Sequence, residues 1–127
     1  MLKGLHHAAI ICSDYQKSKH FYLNILQLKV VAEHYREQRN SYKLDLALPD
    51  GSQIELFSFT RPPARLSYPE ACGLRHLAFV VDSVEETVAY LITQGVDVEP
   101  IRIDEYTQKA YTFFSDPDGL PLEIYQK

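Results

Sequence analysis

Gly4-Leu5-His6-His7-Ala8-Ala9-Ile10-Ile11 returns later in the chain as Gly73-Leu74-Arg75-His76-Leu77-Ala78-Phe79-Val80, 69 residues on (4 to 73). Pro49-Asp50-Gly51-Ser52-Gln53-Ile54-Glu55-Leu56 returns as Pro117-Asp118-Gly119-Leu120-Pro121-Leu122-Glu123-Ile124, 68 residues on (49 to 117). Two separate blocks with nearly the same shift mark an internal duplication. With only two copies, a closed pair of modules fits better than a solenoid.

Working outward from these blocks, residues 5–11 and 74–81 are apolar, β-branched and bounded by turn or cap residues, which predicts strands. A helix follows each. In the first copy Ser13 or Asp14 can cap it, and Phe21, Tyr22, Ile25 and Leu26 share one face. In the second, Ser83 and Glu86 form a capping box, Val84, Val88, Leu91 and Ile92 make the apolar stripe, and Gly95 ends the helix. Further strands are expected near 29–36, 42–48 and 52–59, and again near 97–103, 109–115 and 120–126. Asp50-Gly51 and Asp118-Gly119 predict the tight turns, because glycine accepts positive φ. The expected fold is α+β, two paired βαβββ modules in one 1–127 domain. The first module spans 1–60, the second 73–127. The stretch 61–72, with Arg61-Pro62-Pro63 and Pro69, reads as the linker.

Composition narrows the function classes. The 127 residues are 46% apolar and 24% charged, an ordinary globular balance. A net charge of −4, with Lys and Arg scattered among the acids, gives no basic stripe and argues against a nucleic-acid partner. The N-terminal stretch has neither a signal-peptide cleavage pattern nor the length of a membrane span, so a cytoplasmic location is expected. Cys12 and Cys72 form no CxxC motif and read as buried free thiols in a reducing compartment.

The duplication also pairs polar residues. It maps His7 onto His76 and Glu55 onto Glu123. By strand alternation, His7 shares a face with Ala9 and Ile11, Glu55 with Gln53 and Phe57, His76 with Ala78 and Val80, and Glu123 with Tyr125. Carboxylates in such apolar stretches are costly to bury without a partner. Two imidazoles and two carboxylates suit one divalent ion such as Zn, Ni, Co, Mn or Fe(II). In six-coordinate geometry they leave adjacent positions for substrate oxygens. His6 is matched by Arg75 and by alternation faces away from His7, so it has no expected metal role. His20 and His34 have no repeat partner and are expected at the surface. Arg36, Arg39 and Lys109, with Arg65 and Arg102, are candidates to grip an anionic substrate. Exposed sheet edges and outer faces in so small a domain point to a homodimer.

At HHAAIICSDYQKSKHFY, IELF, LRHLAFVVDS and DPDGLPLEIY the chain resembles the vicinal-oxygen-chelate superfamily, and is most similar to its short glyoxalase-like bacterial members. That resemblance covers essentially the whole chain. It implies His7, Glu55, His76 and Glu123 as metal ligands, with Glu123 as the catalytic base. The implied activity is that of a metal-dependent lyase or isomerase acting on a small substrate with neighbouring oxygens, by metal-stabilised enediolate proton transfer. Lactoylglutathione lyase is one instance of it. An Fe(II) extradiol-type dioxygenase and a non-catalytic ligand-binding or resistance protein are the alternatives. The chain departs from glyoxalase I where that enzyme has a glutathione-holding Arg, here Ile11, and an Asn, here Phe59.

Overall fold

The computed structural model describes all 127 residues. They form two compact units, Met1–Ala64 and Arg65–Lys127. In the first, strand β1 (His7–Cys12) leads into helix α1 (Tyr15–Lys19), which continues in π-helical geometry over His20–Ile25. Strands β2 (Lys29–Arg36), β3 (Ser41–Ala47) and β4 (Gln53–Ser58) complete it, with a short 3-10 turn at Glu37–Arg39. The sheet order is β1-β4-β3-β2, with β1 parallel to β4 and the other pairs antiparallel.

The second unit repeats the plan. It contains β5 (Leu77–Val81), helix α2 (Val84–Thr93), β6 (Arg102–Ile103), β7 (Ala110–Ser115) and β8 (Pro121–Gln126), in the order β5-β8-β7-β6. The paired βαβββ modules expected from the sequence are therefore the observed fold.

Alternation divides each sheet into two faces. In the first unit Ile10, Cys12, Leu44, Leu46, Ile54 and Leu56 are buried on one face. The helical segment packs there: Phe21, Tyr22 and Ile25 are buried, and Tyr15 stacks on Tyr42 of β3 at 4.3 Å between ring centroids. In the second unit Thr112, Phe114, Leu122 and Ile124 form the equivalent face, with Val84 and Leu91 of α2 also buried. The opposite faces carry His7 and Glu55, and Glu123, among more exposed neighbours such as Ala9, Ile11 and Val80.

Asp14, rather than Ser13, caps α1 by accepting from the Lys17 N–H, and Ser83 accepts from the Glu86 N–H at the start of α2. Both Asp-Gly turns form, with Gly51 at φ +90° and Gly119 at φ +82°, where a side chain would be strained. Ahead of them, Asp50 accepts from the Ser52 N–H, and Asp116 from those of Asp118 and Leu120.

Four expectations need correction. The strand expected over 97–103 shrinks to Arg102–Ile103, preceded by one isolated bridge between Val98 and Phe114. Pro100 lies between them and has no N–H to extend the ladder. Ile92 is exposed rather than part of the buried stripe, because eight residues after Val84 it lies about 80° around the helix while Leu91 stays in line. Cys72 is exposed rather than buried, and neither cysteine is in a disulfide. His6 precedes the first strand residue, so alternation does not govern it: its ring meets that of His7 edge-on, with the two Nδ1 atoms 2.9 Å apart.

On the helix-covered face, Glu33 of β2 accepts from the Lys19 ammonium at 2.7 Å and from the Tyr15 hydroxyl. Lys19 first, and then Tyr15, hold its carboxyl below the usual range, while burial and Glu33 push the Tyr15 phenol upward. A carboxyl lowered on folding adds stability above its unfolded value and loses it as pH falls through the folded one. Glu33→Gln is therefore expected to destabilise the chain at pH 7 by no more than about 1 kcal/mol, since the pair is solvent-screened. Urea midpoints at pH 7 and at about pH 3 check this: the gap should close at the acid end.

Candidate metal centre

Each unit draws one histidine and one glutamate together. The parallel register sets Ala9 opposite Glu55, so His7, two residues earlier on the same face, reaches diagonally to it. His7 Nδ1 lies 3.4 Å from Glu55 Oε2. In the second unit Ala78 is opposite Glu123, and His76 Nε2 lies 3.0 Å from Glu123 Oε2. The histidine side chains are 41% and 33% exposed and the carboxylates 15% and 13%, so both pairs open to solvent through the imidazole.

These spacings can be tested against a metal. Donor atoms about 2.1 Å from one ion lie about 3.0 Å apart at a right angle and about 3.4 Å apart at the tetrahedral angle. Each pair therefore has the separation of neighbouring ligands, and the nitrogen and oxygen donors suit a first-row divalent ion. The residues fit the group. The candidates meet as pairs, and neither unit gathers a group of three or more His, Cys, Asp or Glu side chains.

The two pairs have different surroundings. Beside Glu55, Lys43 of β3 binds Asp45 at 2.7 and 2.9 Å and lies 3.8 Å from Glu55 Oε1. Beside Glu123, Phe113 occupies the facing position on β7, and its ring meets His76 edge-on at 5.0 Å. Two residues beyond Glu123, the Tyr125 hydroxyl donates to Asp104 Oδ2 at 3.0 Å and bonds the Thr107 hydroxyl. This ties the 104–109 loop to the strand that carries Glu123. Asp104 titrates below the ordinary carboxylate range, chiefly because the Tyr106 N–H donates to it.

The structure sorts the candidate cations. Arg36 lies over Phe57 at 4.9 Å and donates to the Ser41 hydroxyl at 2.9 Å, beside the Glu55 row and without a carboxylate partner. Arg39 is exposed in the 3-10 turn, and Lys109 is exposed just before β7. Arg102 lies over Tyr111 and Phe113 at 5.1 and 5.6 Å. Arg65 is committed to the carbonyls of Leu74 and Arg75. His20 and His34 are at the surface, as expected. Sequence reasoning missed Lys43 and Asp45, although their alternation with buried Leu44 and Leu46 was the available signal.

A fold of two βαβββ modules, each a four-stranded mixed sheet, defines a class, and comparison with known proteins agrees. The family described as Glyoxalase/Bleomycin resistance protein/Dioxygenase superfamily matches residues 4–124, and the chain belongs to it. It is 57% identical over 127 residues to the uncharacterized protein YwkD of Bacillus subtilis (strain 168), covering 100% of this chain and 99% of that one. The crystal structure of a glyoxalase family protein from Enterococcus faecalis is 50% identical, covers 98% of each chain and superposes with a TM-score of 0.91. More distantly, the fold is shared with the fosfomycin resistance protein FosX of Listeria monocytogenes, crystallised as an E126Q mutant with Mn(II) and a dihydroxypropylphosphonic acid. That protein is 22% identical, covering 100% of this chain and 94% of that one, with a TM-score of 0.76. No helix is long and apolar enough to cross a membrane.

Proposed function

We propose that the chain is a metal-dependent lyase or isomerase acting on a small anionic substrate with two neighbouring oxygens. Its His7–Glu55 and His76–Glu123 pairs would hold the same divalent ion, drawn from one chain or from two copies in a homodimer. The observation that carries this reading is the recurrence of a ligand-spaced His–Glu pair at duplicate positions, 3.4 Å and 3.0 Å apart, with each glutamate on the open face of its sheet. A bound ion supplies Lewis acidity to the substrate oxygens and so acidifies the carbon-bound hydrogen beside them.

The chain's own groups do the rest. Glu123 takes that proton and returns it to the adjacent carbon, which leaves the carboxylate unchanged at the end of the cycle. Arg36, beside the Glu55 row, offers a guanidinium to the substrate's negative charge, and Arg39 and Lys109 add positive charge at the approach.

Elemental analysis after stripping and reloading with Zn, Ni, Co, Mn or Fe(II) tests the centre. About one ion per chain is expected, lost in His76→Ala and held more weakly in Glu55→Gln. Light scattering on the loaded protein should give the mass of a dimer. Failure of every metal to bind would refute the metal-dependent reading.

A further inference from the structure

The duplication breaks beside the metal candidates. With the 68-residue offset, Lys43 corresponds to Tyr111 (43 + 68) and Asp45 to Phe113 (45 + 68). The registers agree with this mapping: Asp45 faces Glu55 and Lys43 faces Phe57, while Phe113 faces Glu123 and Tyr111 faces Tyr125. One glutamate thus has an ammonium and a second carboxylate beside it, and its duplicate has two aromatic rings.

Lys43 is clamped. Both Asp45 oxygens accept from its ammonium, at 2.7 and 2.9 Å, which fixes the Nζ position and offsets its charge. From there Nζ lies 3.8 Å from Glu55 Oε1, while the other oxygen, Oε2, is the one near His7. One Glu55 oxygen is thus steered by Lys43 and the other is left toward the ligand position. Glu123 pairs with His76 and with no lysine or arginine.

Resting on the metal-dependent reading above, we infer that Lys43, clamped by Asp45, is a positioning residue that keeps Glu55 on the metal as a permanent ligand. The Phe113 and Tyr111 substitutions leave Glu123 as the carboxylate free to leave it. Lys43 touches neither the reacting atoms nor the ion. It acts through Glu55 as an ion-pair partner 3.8 Å from one carboxylate oxygen, orienting a candidate ligand from outside it. Because Asp45 already offsets the ammonium, the orienting effect outweighs its repulsion of a cation. One gene duplication could in this way yield two glutamates with different duties, one holding and one moving.

Co(II) alone is the probe, with affinity read by competition against a chelator and geometry by visible absorption. Lys43→Met is expected to bind Co(II) about 10- to 100-fold more weakly, with an altered absorption band. Lys43→Arg, which restores a cation to the clamp, should bind within about threefold of the parent, and Asp45→Asn should weaken binding in the same direction as Lys43→Met. The double variant Lys43→Tyr with Asp45→Phe gives the first unit the second unit's surroundings and should reproduce the Lys43→Met spectrum. Unchanged or tighter binding in Lys43→Met, with the parent spectrum, would overturn the positioning role while leaving the centre intact. A parent chain that binds no Co(II) would overturn both readings, and binding that is lost in His76→Ala but indifferent to Lys43 would overturn this inference alone.

Discussion

Glu123→Gln is expected to lower turnover by about two to four orders of magnitude while the chain still binds metal. The amide keeps an oxygen donor at the same place on β8, 13% exposed and beside His76, so the fold and most of the affinity should survive. What it loses is the ability to accept a proton near neutral pH. Exchange of the substrate's carbon-bound hydrogen with D2O, followed by NMR alongside kcat, separates these effects. Loss of wash-in with metal content retained supports Glu123 as the base. Full exchange in the variant would move the base elsewhere and leave Glu123 a ligand only. Glu55→Gln is the matched control: it should weaken metal binding, and activity should return when the metal is supplied in excess.

Leu56→Ala should cost about 2–5 kcal/mol of stability. Leu56 is fully buried on β4, an interior strand of its sheet, and faces Ile10 on one side and Leu44 on the other. Removing its side chain leaves a cavity beneath the helical segment in a unit of only 64 residues, Met1–Ala64, where the core is small. Leu56→Met, which keeps the volume, should cost less than about 1.5 kcal/mol. Urea unfolding of both variants against the parent checks this. A midpoint for Leu56→Ala equal to the parent's would mean that the site collapses around the missing atoms.

Glu55 is the sequence neighbour of Leu56, and the contrast between them shows where sequence reading is strong. Leu56 belongs to a period-two pattern that assigns it to a buried face by local rules. Glu55 points the other way, and its duplicate at Glu123 marked it as more than a surface acid. The strand, the turn at Gly51 and the His–Glu equivalences were all legible for the same reason. They depend on spacing along the chain and on repetition, and neither requires knowledge of which strands are neighbours.

Where a property depended on a distant partner, the linear pattern fell short. Lys43 and Asp45 carried no expected role in the sequence, and only the β3–β4 register set them beside Glu55. Arg36 and Arg65 were equal candidates for an anion, and only folding turned Arg65 toward the Leu74 and Arg75 carbonyls while Arg36 came to rest on Phe57. Ile92 looked like core from its hydrophobicity, but helix geometry rotates it away from the line of Val84 and Leu91.

By itself, then, the sequence determined the doubled βαβββ plan, both Asp-Gly turns, the Ser83 cap and the equivalence of His7 with His76 and of Glu55 with Glu123. Those features follow from local backbone preference and from the repeat. Only the tertiary structure decided the approach of His6 to His7, the shortening of β6 to Arg102–Ile103, and the unequal surroundings of the two glutamates. The physical reason is that strand registry brings together residues far apart in the chain, and a side chain's charge environment is set by those neighbours rather than by its own segment.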